Sequence, residues 1–243
     1  MFGRILARFG CAFSEVDYNS EIMQAEFQFR THGGRREGAG RPRKLVSDPP
    51  HGVREMHRGR HPVHVTCRCE RSVGRLRVGP VRDAVGAAVA RVNGREGFRV
   101  VHMSLQQDHV HFIVEADDHR IFVAGMRALT IATAKAINKA KGRRGRVFAY
   151  RFHATTVESP RQARNVLAYV LNNWRHHLED EKSVAARDAE LDPYASGATF
   201  SGWRERLAAP TYEPLVLAAP HTWLLREGWM KHPLISIHET PKL

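Results

Sequence analysis

Two histidines in the middle of the chain share one face of a strand. In the segment DHVHFIVE, Val110, Phe112 and Val114 alternate with other residues, which is typical of a half-buried β-strand. Because residues two apart point the same way in a strand, His109 and His111 lie together on the opposite face. Two neutral imidazoles held side by side are a ready clamp for a divalent metal ion. The alternative is that both are solvated surface residues, and the pattern alone does not choose between the two.

A helix further along the chain carries a tyrosine and an asparagine outside its apolar stripe. The stripe has the spacing of a surface that faces a core and consists of Ala163, Val166, Leu167, Val170, Leu171 and Trp174. Tyr169 and Asn173 are four residues apart beside this stripe, so their side chains project together from successive turns. Asn172 and His176 flank the same side. This placement favours a cleft that contains the phenol and the amide, although a boundary tyrosine that packs by its ring edge fits the same pattern.

The surrounding sequence predicts seven elements that would hold these residues. Strands are predicted at 61–70, at 98–108, at the histidine segment and at 146–159, and helices at 79–94, 118–145 and 159–180. The last helix has Ser159 as a suitable N-cap and Pro160 at its first position. The order β-α-β-β-α-β-α is that of an α+β fold, a ferredoxin-like split βαβ antiparallel sheet with helices on one face and an appended C-terminal helix. We therefore expect the histidines on the second face, left open to carry a site.

The chain is strongly basic, and this charge indicates what kind of molecule it binds. Its 243 residues include 38 Lys and Arg against 25 Asp and Glu, a formal net charge of +13. Such a surplus favours a polyanion, either nucleic acid or an anionic membrane. The sequence contains no run of about 18 apolar residues, so a membrane span is not expected, and it does not open with a secretory signal. Cys11, Cys67 and Cys69 make a poor disulfide framework. We therefore expect a cytoplasmic protein that binds nucleic acid and no membrane.

Three regions differ in composition. Residues 1–57 include a Gly-, Pro- and Arg-rich segment with almost no aliphatic residues, which predicts a flexible basic arm. Within it GRPRK, with Arg41 and Arg43, resembles the core of an AT-hook, which lies in the narrow minor groove of A·T-rich DNA. A generic basic tail that contacts phosphates is the alternative. Residues 58–180 form the predicted domain, and residues 181–243 form a loop-rich extension to which the sequence assigns no domain of its own.

Together these motifs resemble the IS200-like single-tyrosine HUH transposases, and most closely the REP-associated tyrosine transposases. The resemblance rests on the HVH strand, the helix with YVLNN and the order of the elements between them, and it covers residues 58–180. The phrases DPYASG, GW and TWLLREGW extend it more loosely into the C-terminal extension. It implies a nuclease and transposase that cuts DNA at hairpin sites and rejoins it through a 5′-phosphotyrosine intermediate.

The resemblance also implies roles for individual residues. Tyr169 would be the nucleophile. His109, His111 and Asn173 would hold one Mg²⁺ or Mn²⁺ that polarises the scissile phosphate. Glu115 shares the strand face of the histidines and is the competing third ligand, but it lies about 20 Å from His109 and about 13 Å from His111 along the strand. The partner would be single-stranded or hairpin DNA, bound by a monomer or a homodimer, of which the REP-associated relatives suggest the monomer.

Basic side chains near the end of the long helix would supply affinity for the DNA backbone. The candidates are Lys135, Lys139, Arg143, Arg144, Arg146, Arg151 and Arg161, together with Arg41 and Arg43 in the arm. For any one of them a solvated charge run is the alternative. The competing function is a catalytically silent DNA- or RNA-binding regulator on the same fold. The complete set of histidines, tyrosine and asparagine argues against it, because a pure binder does not need all four.

Two stretches depart from the family pattern. Many members read Met-Pro-Asn before the first histidine, whereas this chain has Gln106-Gln107-Asp108. Asp108 remains able to cap or orient His109, but the geometry of the loop is left open. Residues 1–22 have no counterpart in the family, and Met23 is a credible alternative start.

Overall fold

The computed structural model of the chain describes residues 56–240 and builds them around one antiparallel sheet. The four strands of this described part are β1 (Val63–Arg68), β2 (Phe98–Leu105), β3 (His109–Ala116) and β4 (His153–Thr156). Its long helices are α1 (Gly79–Asn93), α2 (His119–Ala140) and α3 (Pro160–His176). The segment after α3 contains the short helices α4 (Val184–Asp188) and α5 (Trp223–Arg226), with 3₁₀ turns at Ser196–Thr199 and Gly228–Lys231, and a further 3₁₀ turn, Arg71–Val73, follows β1.

The sheet has the strand order β2-β3-β1-β4, and each neighbouring pair is antiparallel. β2 and β3 form a hairpin, and β3 lies in the interior of the sheet against β1. In this register His111 lies opposite Thr66 on β1 and opposite Ser104 on β2. The strand order and the succession of elements confirm the predicted ferredoxin-like sheet with its appended helix.

α1 and α2 cover the first face of the sheet and enclose the larger core. The strands contribute Val65, Cys67, Val110, Phe112 and Val114, and the helices contribute Val85, Val89, Met126, Leu129 and Ile137. Cys67 and Cys69 are both buried in this core. Gly125 of α2 allows the close approach of Phe98, because a Cβ at this position would lie 2.1 Å from the Phe98 ring. The helix can therefore rest directly on β2.

The second face of the sheet is covered, contrary to the expectation of an open face. α3 crosses it, and a second core forms between the sheet, α3 and the C-terminal segment of residues 181–240. Its members are Val101 and Ile113 from the strands, Ala163, Val166, Leu167, Val170 and Leu171 from α3, and Trp203, Leu224, Trp229 and Ile235 from the C-terminal segment. The apolar stripe of α3 needs a surface to bury against, and the sheet and the C-terminal segment supply it together. The histidine face is therefore largely enclosed.

Buried polar contacts fix the C-terminal segment to the domain. Asp192 accepts two hydrogen bonds from the Arg77 guanidinium, each at 2.8 Å. Burial raises the pKa of Asp192 even though Arg77 favours the charged form. Glu115 of β3 accepts hydrogen bonds from the backbone N–H groups of His221 and Thr222, at 2.7 and 2.9 Å, and from the Thr222 hydroxyl at 2.7 Å. The two parts thus pack together in one compact unit.

The ends of the helices follow their capping residues. At the start of α3, Ser159 Oγ accepts a hydrogen bond from the Gln162 N–H at 3.2 Å, and Gln162 Oε1 accepts one from the Ser159 N–H at 3.1 Å. This is a capping box, and it confirms the predicted N-cap. α2 ends at Ala140, before the predicted position 145, because Gly142 adopts a φ of 61° that breaks the helix.

The fourth strand is shorter than predicted. It spans His153–Thr156 instead of 146–159. In the preceding turns the Arg146 guanidinium donates to the carbonyl of Phe148 at 2.8 Å and also to that of Ala149. These carbonyls are engaged by a side chain of their own segment, so only an isolated bridge between Cys69 and Phe148 continues the pairing.

Some predictions concern residues outside the described range. They are the AT-hook-like Arg41 and Arg43, the cysteine Cys11 and the alternative start Met23. Within residues 56–240, no helix combines the length and the apolarity that a membrane crossing requires.

Candidate active site

His109 and His111 lie side by side at the beginning of β3. Their ring centroids are 4.7 Å apart, and the ring planes are at 86°. The pair is on the face that α3 covers, so His111 is only 2% exposed, while His109 is half-buried. Within the described part of the chain, the buried Nε2 of His111 has no hydrogen-bond partner. A buried polar nitrogen is costly to leave unpaired, so this atom is suited to a ligand.

The His109 ring is oriented by the residue that precedes it. Asp108 Oδ1 lies 2.7 Å from His109 Nδ1, and Asp108 Oδ2 accepts from Arg68 at 3.0 Å. Partial burial acts to raise the pKa of Asp108, but the His109 contact and the Arg68 charge outweigh it and hold the pKa below its usual value. A carboxylate accepts and does not donate, so it fixes the proton of His109 on Nδ1 and leaves Nε2 with a free lone pair. Asp108 thus orients the ring as its sequence position suggested.

The His111 ring is held from the neighbouring strand β1. His64 Nε2 and Thr66 Oγ1 each lie 3.1 Å from His111 Nδ1. Burial lowers the pKa of His64 to about 4, with the charges of His153 and His109 acting in the same direction. Burial also lowers the pKa of His111 well below its usual value. Both rings are therefore neutral near pH 7, the state in which an imidazole binds a metal.

Tyr169 of α3 lies against His111 and His64. Its ring centroid is 5.3 Å from that of His111 and 5.7 Å from that of His64, edge-on in both cases. The tyrosine is half-buried, so its ring reaches the surface on one side. The exposed His176, two turns further along the helix, has its ring 6.2 Å from the Tyr169 ring.

Asn173 lies one turn after Tyr169 and is fully buried. Neither its Oδ1 nor its Nδ2 has a hydrogen-bond partner among residues 56–240. One turn further on, the ring of His177 is 5.3 Å from that of His109. Because Tyr169 contacts His111 and His177 contacts His109, the turn between them places Asn173 next to the histidine pair.

Three neighbours of the site could not be identified from the sequence. His64 and Thr66 alternate with buried apolar residues of β1, so their shared face was readable, but nothing local shows that this face adjoins β3. His177 lies just beyond the end of α3 and contacts His109 across the fold. Only the strand pairing and the helix crossing bring these residues together.

The Gln-Gln-Asp stretch before the first histidine is firmly held despite its departure from the family pattern. Gln107 Nε2 donates to the buried Glu179 at 2.5 Å, and the Gln107 carbonyl accepts from Leu76 N–H at 2.8 Å. The Asp108 carbonyl accepts from Cys69 N–H at 2.7 Å. The loop that carries His109 into the strand is thus fixed to three other parts of the fold.

Glu115, the competing metal ligand, is hydrogen-bonded to the C-terminal segment. Its two carboxylate oxygens accept the three hydrogen bonds from the start of α5, and the side chain is completely buried. Arg99 Nε lies 3.5 Å from the same group. A carboxylate with these partners anchors the C-terminal segment and is not available to the histidine pair.

The basic candidates for DNA binding fall into two groups. Lys135, Lys139, Arg144, Arg151 and Arg161 are exposed. Arg143 donates to Asn138 Oδ1 at 2.7 Å and to the Arg146 carbonyl at 3.0 Å, and Arg146 lies 3.2 Å from Glu70. These two arginines stabilise the turn after α2, so less of their hydrogen-bonding capacity is available to phosphate.

The residues present fit a divalent metal ion. Among residues 56–240, no group of three His, Cys, Asp or Glu side chains is arranged to hold one. However, the two imidazoles lie side by side, and Asn173 lies on the helix between Tyr169 and His177, whose rings are close to those of His111 and His109. In this set, His111 Nε2 and both polar atoms of Asn173 have no partner among the described residues. This set is neutral, which suits a site that receives a phosphate, because a carboxylate would repel it.

Comparisons with known proteins agree with the motifs. Residues 59–173, a range that contains both histidines, Tyr169 and Asn173, match the family model described as IS200-like transposase. No curated protein matches the chain. Among solved structures, the chain is similar to a REP-associated tyrosine transposase bound to a REP hairpin, with 16% identity over 61% of this chain and 82% of the other and a TM-score of 0.47. It is also similar to a putative transposase from Deinococcus radiodurans R1, with 15% identity over 56% of this chain and 99% of the other and a TM-score of 0.35.

Proposed function

We propose that this chain, whose residues 59–173 match the IS200-like transposase model, is a metal-dependent enzyme that cuts single-stranded DNA and rejoins it through a tyrosine. The observation that carries the proposal is the position of Tyr169, whose ring lies 5.3 Å from that of His111. The unpaired amide of Asn173 follows one turn later on the same helix. A phosphodiester at this place would meet a nucleophile and a set of metal ligands together.

The covalent step belongs to Tyr169. Its phenolic oxygen attacks phosphorus, the new Tyr–O–P bond forms, and the bond from phosphorus to the 3′-oxygen breaks. The departing oxygen takes a proton from water and becomes a free 3′-OH. A phenol with a usual pKa of about 10 is a weak nucleophile near neutral pH, so it needs activation. His176, which is exposed and whose ring lies 6.2 Å from that of Tyr169, is the base that would accept the phenol proton. The phosphotyrosine keeps the bond energy, so the reverse attack by another 3′-OH rejoins DNA without ATP.

The metal ligands are His109, His111 and Asn173. Asp108 and the β1 side chains that contact His111 hold the two rings, so that their Nε2 atoms are free to bind. A bound Mg²⁺ or Mn²⁺ supplies Lewis-acid stabilisation of the charge that develops on the scissile phosphate. The neutral protein ligands leave the full positive charge of the ion to act on the DNA.

The exposed basic residues supply affinity for the DNA backbone. They are Lys135, Lys139, Arg144, Arg151 and Arg161. With a net charge of +13 for the chain, binding should weaken steeply as salt is added. The substrate class that we propose is single-stranded DNA that folds into a hairpin next to the cleavage site, bound by a monomer.

Covalent capture of DNA tests this proposal. The protein is incubated with Mn²⁺ and a labelled hairpin oligonucleotide that carries single-stranded flanks, and adducts are resolved on a denaturing gel. We expect an adduct with the wild-type protein, none with Tyr169→Phe, and none after chelation of the metal, since nucleophile and Lewis acid are both required. Tyr150→Phe is the matched control, because Tyr150 is exposed and lies outside the site.

The results of this experiment distinguish an enzyme from a DNA-binding regulator. If Tyr169→Phe still forms the adduct, the assignment of the nucleophile is wrong. If the wild-type protein binds the hairpin but forms no adduct with any of a set of hairpin sequences, the chain is a DNA-binding regulator and not an enzyme.

A further inference from the structure

His64 is a buried histidine on β1 that lies at the candidate site. It is 6% exposed and lies next to His111 and Tyr169, with ring centroids at 5.2 and 5.7 Å. Its Nε2 lies 3.1 Å from His111 Nδ1. His64 thus contacts both a candidate metal ligand and the candidate nucleophile. It can therefore control which ring nitrogen of His111 is free to bind a metal ion.

The contact between the two rings joins one nitrogen to another, so a single proton must lie between them. Either His111 Nδ1–H donates to His64 Nε2, or His64 Nε2–H donates to His111 Nδ1. In the first arrangement His111 Nε2 carries a free lone pair. In the second it carries a hydrogen, which would be buried without an acceptor among the described residues. Only the first arrangement allows His111 to bind a cation.

The neighbouring histidine supports the same assignment. The Asp108 carboxylate at 2.7 Å can only accept, so it fixes His109 as the Nδ1–H tautomer with Nε2 free. With Nε2 free on both rings, the two imidazoles can both offer a lone pair to one ion. For His111 no carboxylate is bonded to Nδ1, and His64 and Thr66 are the acceptors in its place.

We infer that His64 is a positioning residue, which accepts the Nδ1 hydrogen of His111 and so directs the Nε2 lone pair of His111 to the metal ion. The inference rests on the proposed function, because it assigns His64 a role at the proposed metal site. Removing such a partner of a metal-binding histidine usually weakens metal binding about 10- to 100-fold. Because Thr66 Oγ1 remains as a second acceptor, the loss should lie at the lower end.

Binding of Mn²⁺ alone, measured by calorimetry without DNA, tests the role of His64. We expect His64→Phe, which keeps the ring volume but cannot accept, to bind Mn²⁺ about tenfold more weakly than the wild type. His64→Gln, whose amide oxygen can still accept, should stay within about threefold of the wild type. His102→Phe is the matched control, because His102 is equally buried on the same face but is bonded to Ser196, and we expect it to leave Mn²⁺ binding unchanged.

The tautomer of His111 gives a reading that does not depend on activity or on metal binding. Nitrogen-15 NMR of the full chain should show His111 protonated on Nδ1 in the wild type and in His64→Gln, and a mixture of tautomers in His64→Phe. If the wild type shows His111 protonated on Nε2, the inference fails, and this result needs no variant to fold.

Other results of these experiments also test the role of His64. The inference is wrong if folded His64→Phe keeps both the Mn²⁺ affinity and the His111 tautomer of the wild type. It is also wrong if His64→Gln and His102→Phe lose Mn²⁺ binding equally, because this would indicate a general packing defect. If the wild type binds no Mn²⁺, the proposed function fails, and the tautomer measurement then decides the role of His64 by itself.

Discussion

At the scale of single residues, two adjacent asparagines of α3 have opposite surroundings. Asn172 is buried and donates from Nδ2 to the Ser236 carbonyl at 2.9 Å. Asn173 is buried as deeply, but both its polar atoms lack partners in the part of the chain that the structure describes. A buried amide that makes no hydrogen bond lowers stability, and such residues are typical of sites that bind a ligand. The first asparagine is therefore structural, and the second is suited to a ligand.

The two asparagines predict opposite results on substitution. In a metal-free buffer, Asn172→Ala should lower the free energy of unfolding by about 1.5 kcal/mol, because it removes the buried hydrogen bond to the Ser236 carbonyl. Asn173→Ala should stay within about 1 kcal/mol of the wild type, because no hydrogen bond is lost. Binding of Mn²⁺ should follow the reverse pattern, with a loss of at least about tenfold in Asn173→Ala only. Denaturant titration and calorimetry measure both, and Mn²⁺ binding that depends on Asn172 would contradict the assignment of ligands.

At the scale of elements, α3 owes its position to two surfaces. Its apolar stripe packs on Val101 and Ile113 of the sheet and on the C-terminal segment. That segment is in turn fixed to β3 by Glu115, which receives three hydrogen bonds at the start of α5. The helix that carries Tyr169 therefore depends on residues that follow it in the chain, as well as on the sheet that precedes it.

Substitution of Glu115 separates anchoring from metal binding. Glu115→Gln should lower the free energy of unfolding by about 2–3 kcal/mol, because an amide cannot match a carboxylate as acceptor of three buried hydrogen bonds. Binding of Mn²⁺ should be unchanged, since Glu115 is bonded to α5 and not to the histidines. Glu227→Gln is the exposed control and should change stability by less than about 0.5 kcal/mol. A loss of Mn²⁺ affinity in folded Glu115→Gln would return Glu115 to the ligand set.

At the scale of the whole molecule, the end of the described chain is tied back to α3 by an ion pair. Arg164 Nη2 donates to Glu239 Oε2 at 2.6 Å, and Arg164 Nε donates to the Pro233 carbonyl at 3.2 Å. The Arg164 hydrogen bond holds the pKa of Glu239 below its usual value of 4.5, although partial burial acts in the opposite direction. The folded state therefore favours the charged carboxylate.

This pair predicts a pH dependence of stability with a definite sign. Because the folded-state pKa of Glu239 is lowered, its contribution is fully present above pH 4.5 and is lost as the pH falls through the folded-state value. The difference in free energy of unfolding between the wild type and Glu239→Gln should be largest near neutral pH and should disappear in acid. Denaturant titrations of both proteins from pH 7 to about pH 3 would show this, and a difference that grew on acidification would contradict it.

Local periodicity is the part of this protein that the sequence determined by itself. The strand that carries His109 and His111, the apolar stripe of α3 and the N-cap at Ser159 each depend on neighbours within a few residues, and the structure confirms all three. The same periodicities put the two histidines on one strand face and Tyr169 and Asn173 on one helix face. The order of elements then sufficed for the ferredoxin-like sheet.

Contacts between distant segments were decided only by the tertiary structure. The pairing of β1 with β3 brings His64 and Thr66 to His111, and the C-terminal segment covers a face that the sequence suggested would be open. The sequence likewise does not predict that Glu115 accepts hydrogen bonds at the start of α5, or that the polar atoms of Asn173 have no partner among the described residues. The physical reason is that a hydrogen-bond partner is chosen by distance in space, whereas periodicity reports only the direction in which each side chain leaves its own strand or helix.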